Sequence, residues 1–377
     1  MTSTPTTRRR LRRSLGLGVG ALAALGASAT ANAAPTDGSR HSAGHVYAIS
    51  NDPTGNALLV FDRDRDGGLT PAGSIPTGGT GTGAGLGSQG SVAVSDDGHI
   101  VVTVDPGSDE VSLFLAIGDR LRLVDTDASG GDMPISATIN GRDVYVLNGG
   151  AANNASGFRI GRSGLEPLPG STQPLSQEGA GGAQVSFTPD GRQLVVTEKN
   201  TNSIDTFRVR RDVAEPAVVN ASTGVTPFGF AFGHNGALLV SNANGGADGA
   251  SSVSSYEVQR DGGVVALDGP DATFQTSACW LVATGRYAYT ANTGSASLTG
   301  YAVDGRGRVD ILTPDGHTAT AGRTPIDIDA SDDGRFVYQL NGGDDSIGIF
   351  EVGRDGQLTS LGFLSGLPAT AVGLAAS

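Results

Sequence analysis

A strand-ending pattern recurs seven times along this 377-residue chain and limits the folds open to it. In each copy a short apolar run ends in a polar residue, a tight turn follows, and a second run carries one aromatic residue. Successive copies lie 43 to 54 residues apart, which is the length of one four-stranded propeller blade. The seven polar residues are Asn51, Asp105, Asn148, Glu198, Asn242, Asn292 and Asn341.

The turns and the composition agree with an all-β chain. Alternating apolar segments precede most copies and end in Asp-Gly or Asn-Gly pairs, as in SVAVSDDG and QVSFTPDG. Such pairs favour hairpin turns because both central residues need positive φ. Glycine is abundant, with 59 residues, and no stretch has the pattern of a long amphipathic helix. We therefore predict a seven-bladed β-propeller with four antiparallel strands per blade.

The first and last blades predict how the ring closes. The first blade begins at His45 and has no inner strand ahead of it, whereas an unassigned strand remains in LPATAVGLAAS, Leu367–Ser377. We expect this C-terminal strand to complete the first blade, since closure removes exposed sheet edges. The propeller would then span residues 45–377, preceded by a short linker over residues 34–44.

Residues 1–33 have the features of a secretory signal peptide. Five arginines precede the apolar segment Leu15–Leu25, and Ala31-Asn32-Ala33 provides a small-x-small cleavage pattern. Arg12-Arg13 is also compatible with a twin-arginine signal, so both export routes remain open. In either case we expect a secreted, extracytoplasmic protein.

The charge balance limits the partners. The formal net charge is −13, and removal of the five leader arginines makes the mature chain more acidic still. Nucleic acid and anionic membrane surfaces would repel such a chain, so we expect neither as a partner. We expect a monomer that binds a small molecule. One cysteine, Cys279, leaves no internal disulfide. This thiol could act as a nucleophile, but we favour the alternative that it is a small buried apolar side chain.

Glu198 departs from the repeat. Five copies carry Asn at this position and one carries Asp, and both residue types can cap the following turn with their short side chains. Glu is too long to close the same local ring, and residues that break a structural rule are often functional. The next residue, Lys199, is the single lysine of the chain. We therefore predict that both residues are catalytic, with a solvated surface pair as the alternative.

Other candidates lie where loops enter the inner strands. In a propeller these loops and the strand ends converge on one face of the ring, around the channel. We expect the substrate-binding residues there; from the positions alone they are Gln89, Gln184, Asn200, Phe228 and Trp280.

The segments TEKNTNSIDTF, TPFGFAF, QTSACW and AYTANTGSASLTGY resemble the seven-bladed lactonase family, which groups 6-phosphogluconolactonases with carboxymuconate cyclases. The resemblance covers essentially the whole mature chain. It implies that Glu198 matches the family's acidic residue and that Asp105 to Asp109 form its D-x-G-x-D turn. Gly90 and the pair Ala183-Gln184 stand where members often carry histidine and Arg-His.

Two function classes remain open at this point. In the first, Glu198 activates water to open a lactone or a related carboxylate substrate, and Lys199, Gln89, Gln184 or Asn200 stabilises the oxyanion. In the second, the same face binds a small polar ligand, a cell-wall component or a protein without catalysis. We expect no cofactor; a Ca²⁺ ion held by carboxylate and amide oxygens is a less favoured alternative.

Overall fold

The computed structural model describes residues 42–117, 120–151 and 153–377. Within these ranges the chain forms seven antiparallel sheets, each built from consecutive strands. Their innermost strands contact one another in an unbroken circle, so the sheets are the blades of a closed propeller. The predicted fold class and blade count are confirmed. The predicted signal peptide at residues 1–33 lies outside the described residues.

The innermost strands line the central channel. They are β4 (Val92–Val94), β8 (Pro134–Asn140), β13 (Gly182–Phe187), β18 (Pro227–Phe232), β22 (Ala278–Thr284), β27 (Pro325–Ala330) and β31 (Val372–Ala376).

The second strands run back along the inner strands and end on the face that we call the top face. They are β1 (Gly44–Ile49), β5 (Ile100–Asp105), β9 (Asp143–Asn148), β14 (Gln193–Glu198), β19 (Leu238–Asn242), β23 (Tyr287–Asn292) and β28 (Phe336–Asn341). A short 3-10 helix, Asn244–Gly246, follows β19.

The third strands return from the top face. They are β2 (Ala57–Arg63), β6 (Glu110–Ile117), β10 (Asn154–Ile160), β15 (Ser203–Arg210), β20 (Ser252–Val258), β24 (Ser297–Val303) and β29 (Ser346–Val352).

The outermost strand is continuous in four blades and divided into two short segments in the third, fourth and sixth. The outer strands are β3 (Leu69–Pro76), β7 (Arg120–Ala128), β11 (Leu165–Pro167), β12 (Gln173–Pro174), β16 (Val213–Ala214), β17 (Val218–Ala221), β21 (Val264–Ala272), β25 (Val309–Ile311), β26 (Ala319–Thr320) and β30 (Leu358–Ser365).

The hydrophobic core lies between neighbouring blades. The aromatic residue that recurs on each third strand packs there and is nearly or fully buried in every blade. Because each such ring is held by two sheets, blades stabilise one another and the core grows by repetition. The seven residues are Phe61, Phe114, Phe158, Phe207, Tyr256, Tyr301 and Phe350.

Ring closure follows the prediction. Strand β31 pairs antiparallel with β1, with Val46 opposite Ala376 and Ile49 opposite Val372. The first blade thus has the order β3-β2-β1-β31, which joins the two ends of the described chain in one sheet. Among the described residues, no helix is long and apolar enough to cross a membrane.

Deletion of Leu367–Ser377 tests the importance of this contact. The truncated chain would lose the inner strand of its first blade and expose the edges of β1. We expect aggregation or a large fall in melting temperature, measured by thermal unfolding and size-exclusion chromatography. Ser377→Ala keeps β31 and serves as the control. A truncated monomer that melts like the full chain would contradict the closure mechanism.

Candidate active site

Five of the seven strand-end side chains bond to the third strand of their own blade; they are Asp105, Asn148, Asn242, Asn292 and Asn341. Asn292 donates from Nδ2 to the hydroxyls of Ser297 (3.0 Å) and Thr299 (2.9 Å), and Asn242 makes equivalent bonds to two serines. The expectation that these side chains cap their own turns is wrong for both residues. Their role is to connect the second and third strands of a blade below the top face.

Glu198 lies in this buried layer and has structural partners. Its side chain is fully buried. Oε1 accepts a hydrogen bond from the Ser176 backbone N–H (2.9 Å), and Oε2 accepts one from each hydroxyl of Ser176 and Thr201 (both 2.5 Å). The alternative of a solvated surface residue is therefore wrong for Glu198: its longer side chain reaches the segment that precedes β13. Its catalytic role stays a prediction.

Gln89 and Gln184 bond to the backbones of inner strands. Gln89 donates from Nε2 to Leu281 O (2.8 Å) and accepts from Leu281 N (3.0 Å). Gln184 forms the same two-bond arrangement with Phe230 of the next blade (3.0 and 2.7 Å). Each amide thus acts as one more backbone peptide. The contact of Gln89 with Leu281 also brings the loop before β4 to an inner strand 192 residues further along the chain.

A cavity of 280 Å³, which we call the upper cavity, lies at the top end of the channel. Its lining comes from the glycine-rich loop before β4 and from the first residues of three inner strands. The lining residues are Gly85, Leu86, Gly87, Ser88, Trp280, Ile326, Asp327, Val372 and Gly373. Trp280 donates from Nε1 to Ser88 O (2.8 Å) and so attaches this loop to the sixth blade.

Lys199 contacts Gly87, which lines the upper cavity, although it directly follows the fully buried Glu198. Its Nζ donates to Gly87 O (2.5 Å) and lies 5.0 Å from the centroid of the Phe228 ring. Phe228 in turn packs against Trp280, with ring centroids 5.1 Å apart. Burial disfavours the ammonium form and lowers the pKa of Lys199 to about 8.

The loop beside Lys199 also presents backbone donors. In the described structure, the backbone N–H groups of Leu86, Gly87 and Ser88 donate to no protein acceptor. Loop N–H groups that lack a protein partner can stabilise negative charge that develops on a bound carbonyl oxygen. These donors thus belong to the loop that lines the cavity, and the Lys199 amine bonds to the same loop at Gly87 O.

Two carboxyls of the inner strand β27 were not predicted from the sequence. Asp327 borders the upper cavity and accepts from Leu374 N (3.0 Å), whereas Asp329 borders a lower cavity of 260 Å³ and accepts from Ala376 N (2.9 Å). Burial raises the pKa of Asp327 well above its ordinary value and that of Asp329 to about 7. The alternation in PIDIDA was the available signal, because alternate residues of an inner strand face the channel.

The remaining predicted site residues lie apart from the upper cavity. Asp105 is buried, accepts from Asn56 Nδ2 (2.8 Å), Thr77 Oγ1 (2.5 Å) and Ser112 Oγ (2.6 Å), and bonds the first blade to the second. Asp109 accepts from Met133 N, and Asn200 donates to Gly179 O. The structure thus brings together Lys199, Phe228, Trp280 and the loop that carries Gln89.

Nucleophilic chemistry at Cys279 has little support at this site. Burial raises the pKa of the Cys279 thiol to about 12, which disfavours the thiolate that a nucleophile needs. Within residues 42–117, 120–151 and 153–377, no three His, Cys, Asp or Glu side chains are grouped as metal ligands would be.

The fold and the site define a closed seven-bladed propeller with a glycine-rich loop across the top of its channel. The family model described as "Lactonase, 7-bladed beta-propeller" matches residues 166–282 and 264–366, which together span more than half of the chain. This chain belongs to that lactonase family. No curated protein matches it in sequence.

Solved structures show the same fold at low sequence identity. A candidate 6-phosphogluconolactonase of Bacteroides fragilis is similar with a TM-score of 0.68 and 19% identity, over 90% of this chain and 99% of that one. The periplasmic gluconolactonase of Pseudomonas aeruginosa is similar with a TM-score of 0.66 and 17% identity, over 88% and 98% of the two chains. These likenesses establish the architecture.

Chemical labelling tests the environment of Lys199. If burial lowers its pKa, its acylation by a small anhydride should rise with pH around a midpoint of about 8, whereas an exposed lysine titrates at about 10.4. Mass spectrometry separates Lys199 from the N-terminal amine, and a lysine-containing peptide in the same tube is the control. A midpoint equal to that of the peptide would show that the amine is fully solvated.

Proposed function

We propose that this chain hydrolyses a lactone at the upper cavity and that Lys199 supplies the base. Membership of the lactonase family supports the reaction class. The observation that carries the proposal is the position of Lys199, whose Nζ bonds to the cavity loop at Gly87 O. With a pKa of about 8, the amine is partly neutral near neutral pH, as a general base requires.

The chemistry follows from this placement. The neutral amine of Lys199 takes a proton from water as the water oxygen attacks the lactone carbonyl, and the carbonyl oxygen becomes an oxyanion. The N–H groups of Leu86, Gly87 and Ser88 are available to stabilise that charge. When the ring C–O bond breaks, the Lys199 ammonium returns the proton to the departing alkoxide. One water and one lactone thus give one hydroxy acid.

The lining of the cavity favours an uncharged lactone. Its side chains are mainly apolar, from Leu86, Trp280, Ile326 and Val372, and its one ionisable lining residue is Asp327. A phosphorylated substrate would need paired cations, and among the described residues one basic side chain, Lys199, hydrogen-bonds to the lining loop. The lactone of an unphosphorylated sugar acid is therefore the proposed substrate class.

We also propose that the reaction takes place outside the cytoplasm. The basic and apolar segments of residues 1–33 support export, and one structural relative is named as a periplasmic gluconolactonase. A monomer that takes a small-molecule substrate is consistent with a ring that closes on itself.

A lactone panel with a pH-indicator readout tests the activity and the base. We expect Lys199→Met to lower the hydrolysis rate by about 10²–10⁴, the usual loss for a positioned base. Arg306→Met, which removes an exposed cation from a turn on the face opposite the top face, is the matched control and should keep full activity.

Glu198→Gln separates the two candidate bases in the same assay. If Lys199 is the base, this variant should keep measurable activity as long as it folds. If Glu198 is the base, the rate should fall by the amount expected for Lys199→Met. Absence of turnover with every lactone, together with saturable quenching of the single Trp280, would instead support the non-catalytic binding function.

A further inference from the structure

Glu198 and Asp205 form a carboxyl pair inside the fourth blade. Strand β14 pairs with β15 so that Val196 lies opposite Asp205 and Glu198 opposite Ser203. Residues 198 and 205 are therefore diagonal neighbours on the same face of the sheet. Both side chains are fully buried.

The two carboxyls have unequal partners. Glu198 accepts three hydrogen bonds, two from Ser176 and one from Thr201. In the described structure neither oxygen of Asp205 has a hydrogen-bond partner. A buried carboxylate without donors is costly, so the pair needs a compensating positive charge.

In four of the other blades the equivalent positions contain one donor and one acceptor. The residue opposite the position two before the strand end is a hydroxyl there, and it bonds to the strand-end side chain, which is Asp105, Asn148, Asn242 or Asn292. The four hydroxyl residues are Ser112, Ser156, Ser254 and Thr299. The fourth blade places a carboxyl at both positions, so one of them must carry a proton to become the donor.

Charged groups near the pair do not provide the compensation. Lys199 is next in sequence, but its Nζ bonds to Gly87 O, and Glu178 on the segment before β13 is exposed. Strands β13 and β17 carry no ionisable residue. Arg208 and Arg210 of β15 pair with Glu215.

We propose that Glu198 and Asp205 share one proton, and that this shared proton is a pH-sensitive switch that holds β14, β15 and the Ser176 segment together. In the protonated pair Asp205 donates to Glu198, as a hydroxyl does to Asp105 in the second blade. Loss of the proton leaves two buried negative charges side by side, which repel each other. The strand end that carries Lys199 is then destabilised.

The direction of the pH effect follows from the shifted group. Burial, and next the neighbouring Glu198, raise the pKa of Asp205 to about 8 in the folded chain. An unfolded Asp titrates at about 3.9, so the folded state binds the extra proton between these two pH values. The stabilisation is complete below the unfolded pKa and is lost as the pH rises towards about 8.

Thermal unfolding between pH 5 and pH 9 tests this switch. Asp205→Asn keeps the shape and carries a permanent donor, so we expect its melting temperature to match the wild type near pH 5 and to exceed it by about 2 °C or more at pH 9. Asp205→Ser, which copies the other blades, is a second variant with the same expected trend if Asp205→Asn does not fold. Glu178→Gln removes a nearby exposed charge and should run parallel to the wild type.

Two results would overturn the proposal. The first is a constant gap in melting temperature between the Asp205 variants and the wild type across this pH range. The second is a rise in the wild-type melting temperature at pH 9 on addition of millimolar CaCl₂ that EDTA reverses and Asp205→Asn abolishes, because a bound cation would then occupy the place of the proton. Stability is the readout, so the outcome is independent of whether the lactonase proposal holds.

Discussion

The antiparallel pairing of β31 with β1 is the contact on which the rest of the molecule depends. It converts a linear series of blades into a ring, and a ring has no exposed inner edge. The same strand contributes Val372 and Gly373 to the upper cavity, and its N–H groups at Leu374 and Ala376 bond to the carboxyls of Asp327 and Asp329. The strand that closes the ring therefore also forms part of the channel wall.

The channel is held by side chains that act as extra backbone groups. Gln89 and Gln184 each complete a pair of hydrogen bonds with an inner-strand peptide, and Ser136 Oγ accepts a hydrogen bond from Val185 N of the next blade (3.1 Å). Inner strands of neighbouring blades diverge and cannot pair along their lengths, so these side chains satisfy the peptide groups that face the channel. Polar residues near a propeller channel are thus often structural.

Lys199 is different because its amine has one hydrogen bond and a partly apolar environment. Burial beside Phe228 lowers the pKa of the amine, and the bond to Gly87 O places it against the loop of the upper cavity. Glu198 has the opposite character, since Ser176 and Thr201 enclose its carboxylate. The two neighbouring residues therefore have different roles. Lys199 contacts the loop that lines the upper cavity, and Glu198 stabilises the blade.

The repeat spacing, the hairpin turns and the unpaired C-terminal strand predicted the blade count and the closure, because those features depend on local periodicity and on turn conformations. They could not predict which polar residues face the cavity. Glu198 and Lys199 are adjacent in sequence, yet the side chain of one enters the blade and that of the other crosses to a loop 112 residues earlier. Asp205 and Ser176 gave no local signal, since their importance comes from packing against Glu198. Contacts between distant segments decide the site, and such contacts exist only after the ring has closed.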